Sequence, residues 1–254
     1  MCIASKTEIE LVVARYNEPL NWLRRVPAAI RVLVYDKNDA VEKTGATAAQ
    51  GKGVVETKFL PNIGREAHTY LWHIVQNYAM LAPHTVFCQG RPFDHAFDFH
   101  RTLRDLVQNA PDQMDNFAGC GFCPLGHIID TDDAQGARLF MRWSKNEDGR
   151  FLDAAGFYRA LFEAEGPSEY SFRLGAQFIA SASCIRRRPR SFYERALQLS
   201  EEFPDAAHCF ERMWSHVFNV ENPDTALLNG HETAYLKPMR RLSEPQHGEA
   251  SLTT

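Results

Sequence analysis

Strand-like apolar runs alternate with helical periodicity through the first 110 residues of this 254-residue chain. Residues 8–14 end in Leu11-Val12-Val13-Ala14, a continuous apolar run that suits a strand buried on both faces. Pro19 then opens a short helical stretch carrying Leu20, Trp22 and Leu23. Residues 31–35 and 54–60 read as a second and third strand, separated by a loop over 45–53 made of glycine and small residues. The clearest helix is predicted over 64–81, where Tyr70, Leu71, Ile74, Val75, Tyr78 and Leu81 recur at helical spacing and Pro83 supplies a stop. Residues 85–88 form a short apolar strand, and Phe99, Leu103, Leu106 and Val107 mark another helix. The order β-α-β-β-α-β-α implies a mostly parallel sheet with helices on its faces, a Rossmann-like α/β fold.

The second half is less regular. Residues 140–143 read as a strand, 153–163, 190–199 and 206–218 as helices, and 172–180 as an apolar segment around Gly175. No internal repeat or low-complexity linker divides the chain. A single domain is therefore expected over residues 1–240, followed by a flexible tail over 241–254, which lacks an apolar pattern.

Charge and end composition narrow the function classes. Lys and Arg number 28 against 32 Asp and Glu, a formal net charge of −4. A dedicated nucleic-acid binder would carry a basic excess, so no nucleic-acid partner is expected. The N-terminus has no basic region followed by an apolar one, and no apolar run approaches the roughly 20 residues that cross a bilayer. The expectation is a cytoplasmic protein without a transmembrane segment. The six cysteines then read as thiols rather than a disulfide framework. Cys120 and Cys123, with His127 four residues on, lack a fourth zinc ligand, and their glycine- and proline-rich setting reads as a loop.

In open α/β sheets ligands bind at the carboxyl ends of the strands. Four polar segments fall there: Arg15-Tyr16-Asn17-Glu18, Asp36-Lys37-Asn38-Asp39, Asn62-Ile63-Gly64-Arg65-Glu66 and Gln89-Gly90-Arg91-Pro92-Phe93-Asp94-His95. Asn62, Gly64 and Arg65 open the best helix, whose unpaired N–H groups favour an anion, and Arg65 adds a donor pair suited to phosphate. The bland alternative pairs Arg65 with Glu66 or Glu18. Asp94, His95 and Asp98 could hold a divalent cation or orient sugar hydroxyls, or Asp94 could simply cap the next helix. The acidic run Asp130-Thr131-Asp132-Asp133 reads as an exposed turn, and Arg186-Arg187-Arg188-Pro189-Arg190 as a solvated helix entry. Trp72, His73, Trp143 and Trp214 read as core or half-buried. Walker, GxGxxG and GxSxG patterns are absent.

These segments resemble a domain family of bacteria and fungi without an assigned activity. The resemblance rests on Ala14-Arg15-Tyr16-Asn17-Glu18, on Asn62-Ile63-Gly64-Arg65-Glu66, and on Gln89-Gly90 with Pro92-Phe93-Asp94-His95. Gly175-Ala176-Gln177-Phe178, the stretch from Arg188 to Glu194, and Glu211-Arg212-Met213-Trp214 extend it. The layout is more distantly similar to GT-A nucleotide-sugar glycosyltransferases. That similarity implies a nucleotide-sugar donor and a glycan or small-molecule acceptor. It implies donor and phosphate contacts at Arg15, Asn17, Glu18, Asp36, Asn62, Gly64, Arg65, Gln89 and His95. It places Gly175 and Gln177 on the acceptor side and Glu211 or Asp94 as the base. Mn²⁺ or Mg²⁺ would fall to Asp94 and His95, although the Asp-x-Asp of GT-A enzymes is missing after the fourth strand. The alternatives are a GT-A-derived glycan- or nucleotide-binding protein that has lost catalysis, and a hydrolase using the same acids.

Overall fold

The structure is a computed structural model that describes residues 9–38, 55–108, 120–143, 149–222 and 224–237, residue 143 by its backbone only. The expected loop over 45–53, Asp39, Gly119, the Trp143 side chain and the tail over 241–254 lie outside the described residues. The central sheet contains β1 (Ile9–Arg15), β2 (Ile30–Asp36), β3 (Val55–Phe59), β4 (His84–Gln89), β5 (Phe122–Pro124) and β8 (Phe178–Ser181). Its order is β3-β2-β1-β4-β8-β5. The first four strands run parallel, and β8 is antiparallel to both of its neighbours. A second, three-stranded antiparallel sheet sets β6 (Ile128–Asp133) between β7 (Glu169–Arg173) and β9 (Thr233–Tyr235). The fold is α/β, mostly parallel at its centre and Rossmann-like, as the alternation implies.

The apolar runs fill both faces of the sheet because successive strand residues point to opposite sides. Val12, Leu33, Tyr35 and Phe87 join one core, with α1 (Arg65–Asn77), α4 (Ala154–Phe162), α6 (Arg190–Glu202) and α7 (Ala206–Val217). Leu11, Val13, Val34, Val86 and Cys88 join the other, under α2 (Phe99–Gln108). Each fully buried side chain of this size contributes roughly 1.5–3 kcal/mol. Among the described residues no helix is long and apolar enough to cross a membrane.

Several local expectations change. The first long helix stops at Asn77 and continues as a 3-10 turn, Tyr78–Met80. There the Asn77 amide donates to the His73 carbonyl at 2.8 Å. After Pro19 the chain forms only a 3-10 helix, Asn21–Arg25. Residues 140–143, expected as a strand, form the short helix α3 (Phe140–Trp143). The acidic run explains it. Asp132 accepts the N–H groups of Leu139 at 2.8 Å and Phe140 at 3.2 Å. Asp133 accepts those of Gln135, Ala137 and Arg138. These carboxylates take up the donors that a helix start leaves over. The run is therefore part of β6 and its turn, not a solvated loop, and Asp132 is 0% exposed. Cys123 likewise lies in β5 rather than in a loop, and burial pushes its thiol up to about 11.

Arg188, expected in a solvated entry, packs over the rings of Phe162 and Phe192 just ahead of α6, while Arg186 and Arg187 stay exposed. The short α5 (Ala182–Ile185) precedes them, started by the Ser181 hydroxyl, which accepts the Cys184 N–H.

Asp132 also meets Arg212 of α7, through Nε at 2.9 Å and a second guanidinium nitrogen at 2.5 Å. Arg212 is 3% exposed and lies over the Phe172 ring. Removing one partner strands a buried charge. Asp132→Ala should lower the unfolding free energy by about 3–5 kcal/mol in urea denaturation. A loss below about 1 kcal/mol would mean that Arg212 finds another partner.

Candidate functional site

The central strands end level with one another, because β1 and β2 pair Arg15 with Asp36 and β1 and β4 pair Ala14 with Gln89. The sheet order reverses between β1 and β4, which opens a crevice at their carboxyl ends. Arg15 forms an ion pair with Asp36 and donates from Nε to the Glu18 carbonyl at 3.0 Å. Asp36 also accepts the Asn38 N–H at 3.0 Å. Glu18 folds back to accept the Tyr16 N–H at 2.9 Å and lies against Gly90, where a Cβ would sit 2.5 Å from its carboxylate. Trp22 donates to the Gly90 carbonyl at 2.9 Å. The two strand ends are thus tied together, and the Arg15 charge is compensated in place. Asn17 and Asn62 stand exposed, and Gln89 is half-buried.

The start of α1 is a strained turn. Gly64 and Arg65 both adopt positive φ, +58° and +50°. Only glycine fits at 64, since a Cβ would lie 2.5 Å from the Ser200 carbonyl oxygen of α6. Arg65 carries a side chain in the same region, at a cost of order 1–2 kcal/mol. Lys37, directly after β2, donates from Nζ to the carbonyls of Ile63 and Arg65 and so clamps the turn. Burial lowers its ammonium to about 8. Sequence reasoning did not single out Lys37; a lysine after a strand is an ordinary polar strand end.

The Arg65 side chain is 62% exposed. One terminal nitrogen lies 3.1 Å from His208 Nε2 and its Nε lies 3.8 Å from Glu66. Burial lowers His208 to about 4, and the charges of Arg65 and Arg212 push the same way. Its neutral ring therefore accepts from Arg65. Burial holds the Glu66 carboxyl above the usual range; Arg65 opposes the shift and Glu211 adds to it. Glu66 and His208 were not among the expected site residues. The signal for Glu66 was its place in the first helical turn beside Arg65.

Three distant segments converge on Glu211. Its carboxylate accepts the Gly175 N–H at 2.7 Å. Gly175 has φ +99°, and a Cβ there would meet the His95 side chain at 2.5 Å. The loop after β4, the turn between β7 and β8, and α7 therefore meet at one point. Burial lowers the His95 pKa, opposed by Asp94 and Glu66. Asp94 turns away from this point: it is 55% exposed and pairs with Arg91 at 3.2 Å. Asp98 binds His127 at 2.9 Å and Lys237. Asp94 and His95 thus supply two ligands at most. Among the described residues no group of three or more His, Cys, Asp or Glu side chains is placed to hold a metal ion.

Beside Glu211 lies a small, open cleft with about 30 Å³ of space, lined among others by Arg173, Gln177, Arg212, Trp214 and Asp224. Gln177 donates from its amide to the Pro92 carbonyl at 3.0 Å, but its Oε1 has no partner among the described residues. Trp214 Nε1 has none either. Gln177 is 2% and Trp214 4% exposed. A buried polar group left unpaired costs about 1–3 kcal/mol. The Tyr70 hydroxyl is another of several such atoms, within electrostatic reach of Glu66 and Glu211.

The chain belongs to the DUF3431 family, described as a protein of unknown function, whose sequence model matches residues 11–227. No curated protein matches the chain.

The His208 shift has a pH consequence. Its folded value of about 4 lies below the ordinary 6.5, so the unfolded chain takes up the proton first. Stability is then lost as the pH falls from 6.5 towards 4. His208→Gln should flatten that part of the curve relative to the unaltered protein, measured as urea midpoints at pH 7, 5.5 and 4.5. Parallel curves would show that His208 titrates normally.

Proposed function

We propose that this DUF3431 protein transfers a sugar from a nucleotide-sugar donor to an acceptor hydroxyl, with Glu211 as the base. The observation that carries the reading is the placement of Glu211. One oxygen is held by the Gly175 N–H at 2.7 Å, and the other lies 4.0 Å from Arg212. The carboxylate is fixed where the loop after β4 meets α7, beside the crevice at the sheet's carboxyl ends. A base for glycosyl transfer needs that combination of fixed position and open lone pairs.

In the step, an acceptor oxygen bonds to the anomeric carbon while the bond to the leaving diphosphate breaks. The acceptor proton passes to Glu211. Negative charge develops on the diphosphate, and the exposed Arg65 at the N-terminus of α1 is suited to stabilise it. Arg15 is committed to Asp36 and orients the crevice wall instead. Asp94 is less suited to the base role, being paired with Arg91 at the surface.

A second reading, donor or glycan binding without turnover, is favoured by one feature. The end of β4 carries Gln89-Gly90-Arg91 rather than an acidic pair.

Glu211→Gln separates the two. The amide oxygen can still accept from Gly175, so the fold should persist. The protein would be incubated with UDP-, GDP-, CMP- and dTDP-sugars, each with and without Mn²⁺ or Mg²⁺. For the active donor, the variant should keep the ligand-induced rise in melting temperature and lose about 10²–10⁴-fold in release of the nucleotide product. Turnover at the unaltered rate would remove Glu211 from the mechanism. Donor stabilisation without turnover in either protein would establish the binding reading.

A further inference from the structure

We propose that residues 229–237 form a detachable clasp on the candidate site: β9 and Lys237 hold the loop that carries His95, and through Gly175 the Glu211 carboxylate. The coupling concerns the order of the site and holds whether the site turns over or only binds.

Asp98 is the anchor of the clasp. Its Oδ1 lies 2.9 Å from His127 Nε2, and Lys237 forms an ion pair with its other oxygen. The backbone ties the same segments together. The Leu236 N–H donates to the His127 carbonyl and the His127 N–H to the His95 carbonyl, each at 2.9 Å. The Phe97 ring packs on the His127 ring at a centroid separation of 4.1 Å. His95 in turn fills the space that a side chain at 175 would need, and the Gly175 N–H holds Glu211 at 2.7 Å. A continuous series of contacts therefore runs from Lys237 to Glu211.

The loop after β4 has two halves with separate holds. Trp22 fixes the first half through the Gly90 carbonyl at 2.9 Å, and Gln177 does so through the Pro92 carbonyl at 3.0 Å. The second half, from His95 to Asp98, rests on His127. Leu236 binds His127 directly, and Lys237 reaches it across Asp98.

The clasp itself is lightly held. Leu228 is buried, whereas residues 229–237 are all half-buried or exposed. Asn229 and Gly230 both adopt positive φ, +47° and +80°, and make the turn from which the segment can swing. β9 has three residues and lies at the edge of the small sheet. Its holds are polar: the ladder to β6, the Thr233 hydroxyl donating to Asp130 at 3.0 Å, and Lys237, which is 45% exposed. A segment with so little apolar burial opens locally at low free energy, without unfolding the core.

The test is amide hydrogen exchange by NMR on the full chain, unaltered and with Lys237→Met, Lys237→Glu or Lys237→Arg. The Leu236, His127 and Gly175 N–H groups report in turn on the clasp, the loop and the hold on Glu211, and the amides of β1 report global stability. Lys237→Met should speed exchange at all three reporters about three- to tenfold, and Lys237→Glu more, with β1 unchanged. Lys237→Arg should restore protection. About 1 M salt, which shortens the Debye length to about 3 Å, should act on the unaltered protein as Lys237→Met does. The proposal is overturned if no reporter changes or if the change stops short of Gly175. It is also overturned if β1 speeds up by the same factor, which would make Lys237 a contributor to global stability alone. Exchange is read without ligand, so a missing transferase activity would leave this result standing, and a missing coupling would leave the transfer reading standing.

Discussion

The buried pair of Asp132 and Arg212 is the constraint on which the geometry of the site depends. It joins β6 of the small sheet to α7, 80 residues later in the chain. A buried ion pair contributes only when its remaining hydrogen-bonding capacity is filled. Here it is. Asp132 takes up two arginine nitrogens and the N–H groups of Leu139 and Phe140, and Arg212 also donates to the His208 carbonyl at 2.8 Å. This anchor fixes the rotation of α7 about its axis. With Arg212 turned into the small sheet, Glu211, about 100° around the helix, faces the turn at Gly175. Trp214, three positions from Glu211, lies near the same side of the helix. The candidate base and one wall of the cleft are therefore set by a single polar contact.

The other half of the site is held by different physics. The turn into α1 packs against the end of α6 so closely that only glycine fits at 64, and the chain stays left-handed through Arg65. That conformation persists because Lys37 ties both flanking carbonyls to the end of β2. The result is a helix start whose backbone is fixed while its arginine remains exposed, in contact with His208 and Glu66. Rigid backbone with an accessible cation is what a site for a developing phosphate charge requires. Arg15 shows the contrast: its guanidinium is tied to Asp36 and Glu18, which makes it part of the wall.

How much of this was legible in the sequence follows from the range of the interactions involved. The parallel strands and the helices at 65–77, 190–202 and 206–217 announce themselves through apolar periodicity, which is a local signal. The polar segments at the strand ends were equally visible, because a parallel sheet puts the carboxyl ends of its strands on one side. Glu211 and Gly175 were identified through resemblance, and their contact could not be read from spacing. Asp132 looked like a surface acid because nothing local marks a carboxylate whose partner is 80 residues away. The strands β5 and β9 are three residues each, too short to show a period. The segment at 140–143 was misread for a related reason: its helical state is set by side-chain acceptors on β6 rather than by its own residues. Asp94 and Glu211 were equivalent candidates in sequence, and only packing separates a surface acid paired with Arg91 from one held by a buried N–H.

Trp214 shows packing and polar satisfaction pulling against each other. It is the centre of an aromatic column, packed against Phe178 at 4.8 Å and stacked with Phe210 and Phe218. For that role alone a phenylalanine would serve, since it brings no polar atom that must be paired on burial. The indole adds an N–H without a partner among the described residues, and the Gln177 Oε1 is in the same condition. Each such group costs about 1–3 kcal/mol while it stays unpaired, so the indole stabilises the column less than its ring contacts alone would.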